Sequence, residues 1–154
     1  MDDLKLLYSR LGFADIDTFI QSGNITFSSD IIDSLEIKKI IEKGILNEFG
    51  FDVMTIVFEK DYLRNIIENN PFKNEDAKMQ YFSFLDDVPL KELLEKFDDD
   101  FATSNEIAIG ENIVYVFSEN GYSKTKFNNN FIERRLKVNS TTRNFNTLMK
   151  LLDR

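Results

Sequence analysis

The sequence predicts an α+β protein built from two similar halves and a closing helix, and three observations predict it. Apolar residues recur at helical spacing in some stretches and crowd into short β-branched and aromatic runs in others, so both kinds of element are present. Two pairs of these runs are joined by tight glycine-bearing turns, at Ser22-Gly23 and at Gly110, which marks two hairpins. The order helix, strand, turn, strand, helix then occurs once before the polar stretch Lys73–Lys78 and once after it. That stretch is the expected seam between tightly packed halves spanning 1–72 and 78–154. The second half sets a strand ahead of the order, giving β-α-β-β-α, most of a ferredoxin-like βαββαβ unit; the first half lacks that opening strand.

The elements follow from local chemistry. Leu4, Leu7, Tyr8 and Leu11 recur at helical spacing behind Asp2 and Asp3, and Gly12 stops the helix. Ile16–Gln21 and Asn24–Ser28 are the first hairpin, with Gly23 supplying the positive φ of its turn. Asp33 and Glu36 make a capping-box pattern before the stripe Ile37, Ile40, Ile41, Ile45 and Phe49, and Gly50 closes that helix. Val53–Phe58, a continuous apolar run rich in β-formers, predicts a buried strand. Leu63, Ile66 and Ile67 predict a short helix that ends at Asn70-Pro71. Beyond the seam come a strand over Met79–Leu85, a helix opened by Pro89 with Leu90, Leu93, Leu94 and Phe97, and the hairpin Glu106–Ile109 with Asn112–Phe117, Gly110 standing first in its turn. Phe127, Phe131, Ile132 and Leu136 carry the next helix, and Phe145, Leu148, Met149 and Leu152 form the stripe of the last.

Composition closes off much chemistry. The chain of 154 residues holds no cysteine and no histidine, which removes disulfides, thiolate nucleophiles, Cys-containing zinc sites and the commonest general base. No apolar run approaches the roughly 20 residues that span a bilayer, and the start MDDLKLL is acidic, so a soluble cytoplasmic protein away from membranes is expected. The net charge of −8 is unevenly divided: Tyr122–Arg154 carries eight basic residues against two acidic ones. A basic segment on an acidic body collects anions or pairs with its own body. The acidity of the rest argues against nonspecific nucleic-acid binding.

The strongest candidate site opens the last helix. Thr142, Arg143 and Asn144 bring short polar side chains and a guanidinium to the place where a helix leaves its first N–H groups unpaired, the makings of an anion site. The same residues are explained by a plain helix cap with Arg143 in water. Lys126 and the turn residues Gln21, Ser22 and Asn24 are further candidates for the pocket, although polar hairpin tips are usually just solvated. Lys124, Lys126, Arg134 and Arg135 are able to bind phosphate or to pair with acidic neighbours. Asp86-Asp87 and Asp98-Asp99-Asp100 lack the spacing of a metal loop, and Asn128-Asn129-Asn130 reads as a solvent-facing helix segment. No catalytic motif or cofactor motif is present.

Thr18-Phe19-Ile20-Gln21-Ser22-Gly23-Asn24 near one end and Thr141-Thr142-Arg143-Asn144-Phe145-Asn146-Thr147 near the other, with Asn70-Pro71-Phe72, Tyr81–Leu85, Gly121-Tyr122-Ser123-Lys124 and Glu133-Arg134-Arg135-Leu136 between, resemble the bacterial family catalogued as domain of unknown function 1697. The resemblance runs over nearly the whole chain and implies two packed ferredoxin-like halves plus a terminal helix, with no activity attached. Phe145 stands where that family usually has tryptophan, and the family's opening apolar strand and glycine loop have no counterpart here. Loss of a central strand leaves two rows of backbone groups to be paired some other way, by closing of the strands at Ile25 and Val53 or by a segment of another copy, unless the chain is a truncated version of a longer product.

Three functions are therefore expected in turn. The first is a module that binds a small anion or phosphate group at the last helix. The second is an enzyme acting on a phosphorylated small molecule, with Lys124 or Lys126 beside Tyr122 as working groups. The third is a partner-docking protein with an exposed sheet edge, including a homodimer through an unpaired strand.

Overall fold

Asp2 and Asp3 lie in the first turn of α1 (Asp2–Arg10), where the helix dipole favours negative charge, and Leu7 and Tyr8 are its buried residues. The computed structural model describes residues 2–19, 23–110 and 112–153. Its chain divides into two units, Met1–Glu59 with Leu151–Arg154 and Lys60–Lys150, so the Lys73–Lys78 stretch lies inside the second. Among the described residues there are six α-helices and two antiparallel sheets, the mixed α+β class that the patterns predict.

In the first unit, β1 (Ala14–Phe19) pairs antiparallel with β2 (Asn24–Ser28), Thr18 facing Ile25 and Phe19 facing Asn24. A bulge between Ala14 and Asp17 puts Asp15 at φ 52°. Helix α2 (Ser34–Phe49) starts where the Asp33 carboxylate accepts the Leu35 N–H, and it ends at Gly50, whose φ of 78° turns its N–H back onto the Leu46 carbonyl. A Cβ at Gly44 would stand 3.0 Å from Leu11 Cδ1, so glycine here lets the segment after α1 approach α2 closely. The core gathers Leu7, Tyr8, Phe13, Ile37, Ile41 and Ile45, with the Phe13 and Phe27 ring centroids 4.6 Å apart.

Val53–Phe58 departs from expectation. It joins no ladder among the described residues; Val53 and Val57 pack on the core, and the Thr55 N–H donates to Glu42 Oε2 at 2.7 Å. A strand exists only against another strand's backbone, so β-propensity without a ladder among the described residues leaves an extended run.

The second unit opens with α3 (Lys60–Glu68), followed by β3 (Gln80–Leu85), α4 (Lys91–Phe101), β4 (Ile107–Ile109), β5 (Ile113–Phe117), α5 (Asn129–Leu136) and β6 (Ser140–Asn144). The four strands lie in the order β4-β5-β3-β6, every pair antiparallel. Leu85, Ile107, Val114 and Val116 point to one face and form the core with Phe97, Phe127, Ile132 and Leu136. On the other face a buried amide pair holds the Asn70-Pro71-Phe72 turn: Asn70 Nδ2 donates to Gln80 Oε1, and Gln80 Nε2 donates to the carbonyls of Phe72 and Glu75, each at 2.9 Å.

Two further local readings change. Gly110 does not serve its turn through φ: the positive φ of 57° sits at Asn112, and a Cβ on Gly110 would meet Ile113 Cγ2 at 2.9 Å. Ser140–Asn144 is a strand rather than the lead-in of the last helix, α6 (Phe145–Leu152), because β3 offers it a complete ladder from Leu85 facing Ser140 to Tyr81 facing Asn144.

Candidate functional site

Strand β6 carries three of the sequence-predicted residues, and its pleat separates them. Thr142 faces Ser83 across the ladder and lies on the side of the sheet that bears α4 and α5, whereas Arg143 faces Phe82 on the opposite side. The amides of Thr141 and Arg143 face β3, while the Ser140 N–H faces outward to Glu133. Asn144 is the cap: its Oδ1 accepts the Thr147 N–H at 2.9 Å.

On the helix-bearing side the hydroxyls of Ser140 and Thr142 meet Asn129 of α5, and that of Ser83 meets Thr142. Asn129 Oδ1 accepts from Ser140 Oγ at 2.8 Å and from Thr142 Oγ1 at 2.5 Å. With its proton given to Asn129, Thr142 Oγ1 accepts from Ser83 Oγ at 2.6 Å and, more distantly, from the Tyr122 hydroxyl at 3.5 Å. Tyr122 in turn accepts the Asn129 backbone N–H at 2.8 Å, and Glu133 Oε2 accepts the Ser140 N–H at the same distance. Each hydroxyl proton has an acceptor, and those acceptors are hydroxyl and amide oxygens rather than a base. The network ties β6 to α5 and β3 instead of activating a nucleophile. Satisfied polar groups of this kind fix one arrangement of a buried layer.

Arg143 is half-buried, and burial pushes its guanidinium below the usual arginine range. Its Nη1 donates to the carbonyl of Thr142 at 2.9 Å. Lys126 is exposed, with Nζ 5.2 Å from the centre of the Phe127 ring. Asn24 is buried at the start of β2, in the first unit. Gln21 and Ser22 lie outside the described residues.

The remaining candidates have local partners. Asn128 caps α5 by accepting the Phe131 N–H at 3.0 Å, so of the three asparagines only Asn130 is fully exposed. Asp86 accepts from the Asn139 backbone at 2.9 Å and from its side chain at 3.0 Å. Arg135 pairs with Asp100 at 2.5 Å and lies 5.2 Å from the Phe101 ring centre. Among the described residues, no group of three or more His, Cys, Asp or Glu is placed to hold a metal ion, and no helix is long and apolar enough to cross a membrane.

Ser83, Asn129 and Ser140 are the residues that sequence reasoning missed. One signal was available: Ser140, Thr142 and Asn144 alternate with Thr141 and Arg143 at the period of a strand.

Comparison with known proteins places this arrangement in a wider group. The structure of a conserved bacterial protein, SP0830 from Streptococcus pneumoniae, is similar in fold, with a TM-score of 0.69 at 21% identity over 99% of this chain and 87% of that one. No curated protein matches the chain. A family model described as a protein of unknown function, DUF1697, matches residues 1–115, and the chain belongs to that family.

Proposed function

We propose that the protein is a docking module in which the open sheet edge of the first unit takes up an extended strand from a second copy. One observation carries this reading: among the described residues β2 has a single strand neighbour, while 53–57 of the same unit, β-prone and apolar, joins no ladder. Open edges of this kind template pairing with another chain. Each copy brings an edge and an apolar segment, so the exchange is reciprocal and closes on a dimer. In this reading the first half is a ferredoxin-like unit short of its first strand, and the order β4-β5-β3-β6 supports a complete unit in the second.

Sedimentation across a range of protein concentrations, combined with hydrogen exchange, tests it. The expected result is a dimer with slowed exchange at 24–28 and 53–58. Ile56→Pro, which deletes one amide from the segment, returns a monomer with unchanged helical circular dichroism. A monomer at every concentration overturns the reading.

The half-burial of Arg143 favours a second reading, a small anionic ligand such as a phosphate group held by that guanidinium. Calorimetry with inorganic phosphate is expected to show heat that Arg143→Ala abolishes without lowering the melting temperature, and the absence of any heat overturns it.

A further inference from the structure

Of all the asparagines in the chain, only Asn120 is followed by glycine, and the two residues lie in the turn that leaves β5. Asn120 is exposed, and its side chain makes no hydrogen bond among the described residues. The Gly121 N–H has one contact, to the Ser118 carbonyl at 3.3 Å, longer than the ordinary range for such a bond. The Gly121 carbonyl is held more firmly, accepting from Ser118 Oγ at 2.8 Å and from the Lys124 N–H at 3.2 Å. No atom stands within 4 Å of the place where a Cβ on Gly121 would be, so the space around this residue is open.

Asn139 is the instructive contrast. It too is exposed and precedes a small residue, Ser140. Its Nδ2 donates to Asp86 Oδ2 at 3.0 Å, its backbone N–H donates to Asp86 Oδ1 at 2.9 Å, and its carbonyl accepts the Asp86 N–H at 3.0 Å. The Ser140 N–H is held by Glu133 Oε2 at 2.8 Å. The side-chain amide of Asn139 and the nitrogen that follows it are thus both fixed, whereas at Asn120 the first is loose and the second nearly so. Asn70 is protected in another way, since the proline after it has no N–H to lose.

We infer that Asn120 is a self-modification site, converted without an enzyme to aspartate and isoaspartate through a cyclic imide. The Gly121 nitrogen gives its proton to solvent and bonds to the side-chain amide carbon of Asn120. The bond from that carbon to Nδ2 breaks, and Nδ2 takes up a proton and leaves as ammonia. Water then opens the ring, at the former side-chain carbonyl to give aspartate or at the backbone carbonyl to give isoaspartate. Asparagine is a thermolabile residue, and a following glycine leaves the attack unhindered. Only the one long bond to Ser118 has to open first, a local event that needs no unfolding. Either product adds a negative charge. Isoaspartate also lengthens the main chain by one carbon just ahead of Tyr122, whose hydroxyl accepts the Asn129 N–H at 2.8 Å, so the modification loosens the tie between this turn and α5.

Incubation of the full chain in mildly alkaline buffer, folded and in urea, followed by proteolysis and peptide mass spectrometry, tests the inference. The folded chain is expected to gain the mass of an amide exchanged for an acid at Asn120, faster as the pH rises, while Asn139 converts in urea alone. Asn120→Gln, which would have to close a larger and slower ring, is expected to lower the rate at this position at least tenfold. In the isoaspartate form, separated by ion exchange, amide exchange at Asn129 is expected to quicken. Conversion of Asn120 in urea but not in the folded chain overturns the inference, as does a rate that Asn120→Gln leaves unchanged. Unaltered exchange at Asn129 in the isoaspartate form overturns the link to α5.

Discussion

Two buried tyrosines give the protein a predictable response to alkali. Burial raises the phenols of Tyr8 and Tyr115 to about 12, with the neighbouring Tyr62 adding to the effect at Tyr115. The folded chain thus holds these protons more tightly than the unfolded chain, where the phenol titrates near pH ~10. Their contribution is fully present below about pH 10 and is lost as the pH rises toward the folded values. Urea melts at pH 8 and pH 11 are expected to show a loss of stability that Tyr8→Phe reduces. Tyr115→Phe also removes the hydroxyl that donates to the Ile66 carbonyl at 3.0 Å, at a cost of about 1 kcal/mol already at neutral pH. Asn144→Ala removes the cap on the Thr147 N–H and is expected to destabilise α6 by about 1 kcal/mol, read as a lower denaturation midpoint. The cap was legible because donor and acceptor are three residues apart. The fates of Thr142 and Arg143 were not, because the neighbours that separate them, Ser83 and Phe82, come from a strand far earlier in the chain.

Between elements, Arg135 of α5 packs on α4 and adds to the core the two helices share. The Arg135 guanidinium lies 5.6, 5.2 and 5.7 Å from the ring centres of Phe97, Phe101 and Phe131, and it donates to Asp100 at 2.5 Å. Arg135→Ala is expected to lower stability by roughly 1 to 3 kcal/mol, and Arg135→Lys by less, since lysine keeps the charge but not the planar contact. Its partner sets the acid response. Chiefly through the Arg135 hydrogen bond, the Asp100 carboxyl is held below its ordinary range. A carboxyl lowered on folding contributes stability above its unfolded value, near ~3.9, and loses it as the pH falls through the folded one. Asp100→Asn should therefore flatten the acid limb of a stability curve below about pH 4. Sequence reading placed Arg135 among phosphate-binding candidates because a guanidinium looks the same whether it faces solvent or three phenylalanines. Only the packing of one helix against another distinguishes them.

Across the whole molecule the two units carry unequal ladders. Among the described residues the second unit pairs four strands with β5 and β3 in the interior of the sheet, while the first pairs two. Amide exchange followed by NMR is expected to be slowest in β3 and β5. In 53–57 it should be fast for the monomer except at Thr55, whose N–H is held by Glu42. Slow exchange there in a confirmed monomer would mean that the segment has a ladder after all.

Local chemistry alone determined where most elements begin and end. Asp33 and Gly50 bound α2, Asn70-Pro71 stops the chain after α3, and the hairpin turns declare themselves through residues a few positions apart. Tertiary structure decided the rest. Val53–Phe58 has every preference for a strand and joins no ladder among the described residues, while Ser140–Asn144 has modest preferences and a complete neighbour in β3. The reason is physical: a helix satisfies its backbone within four residues, but a strand depends on a partner that no local stretch of sequence contains.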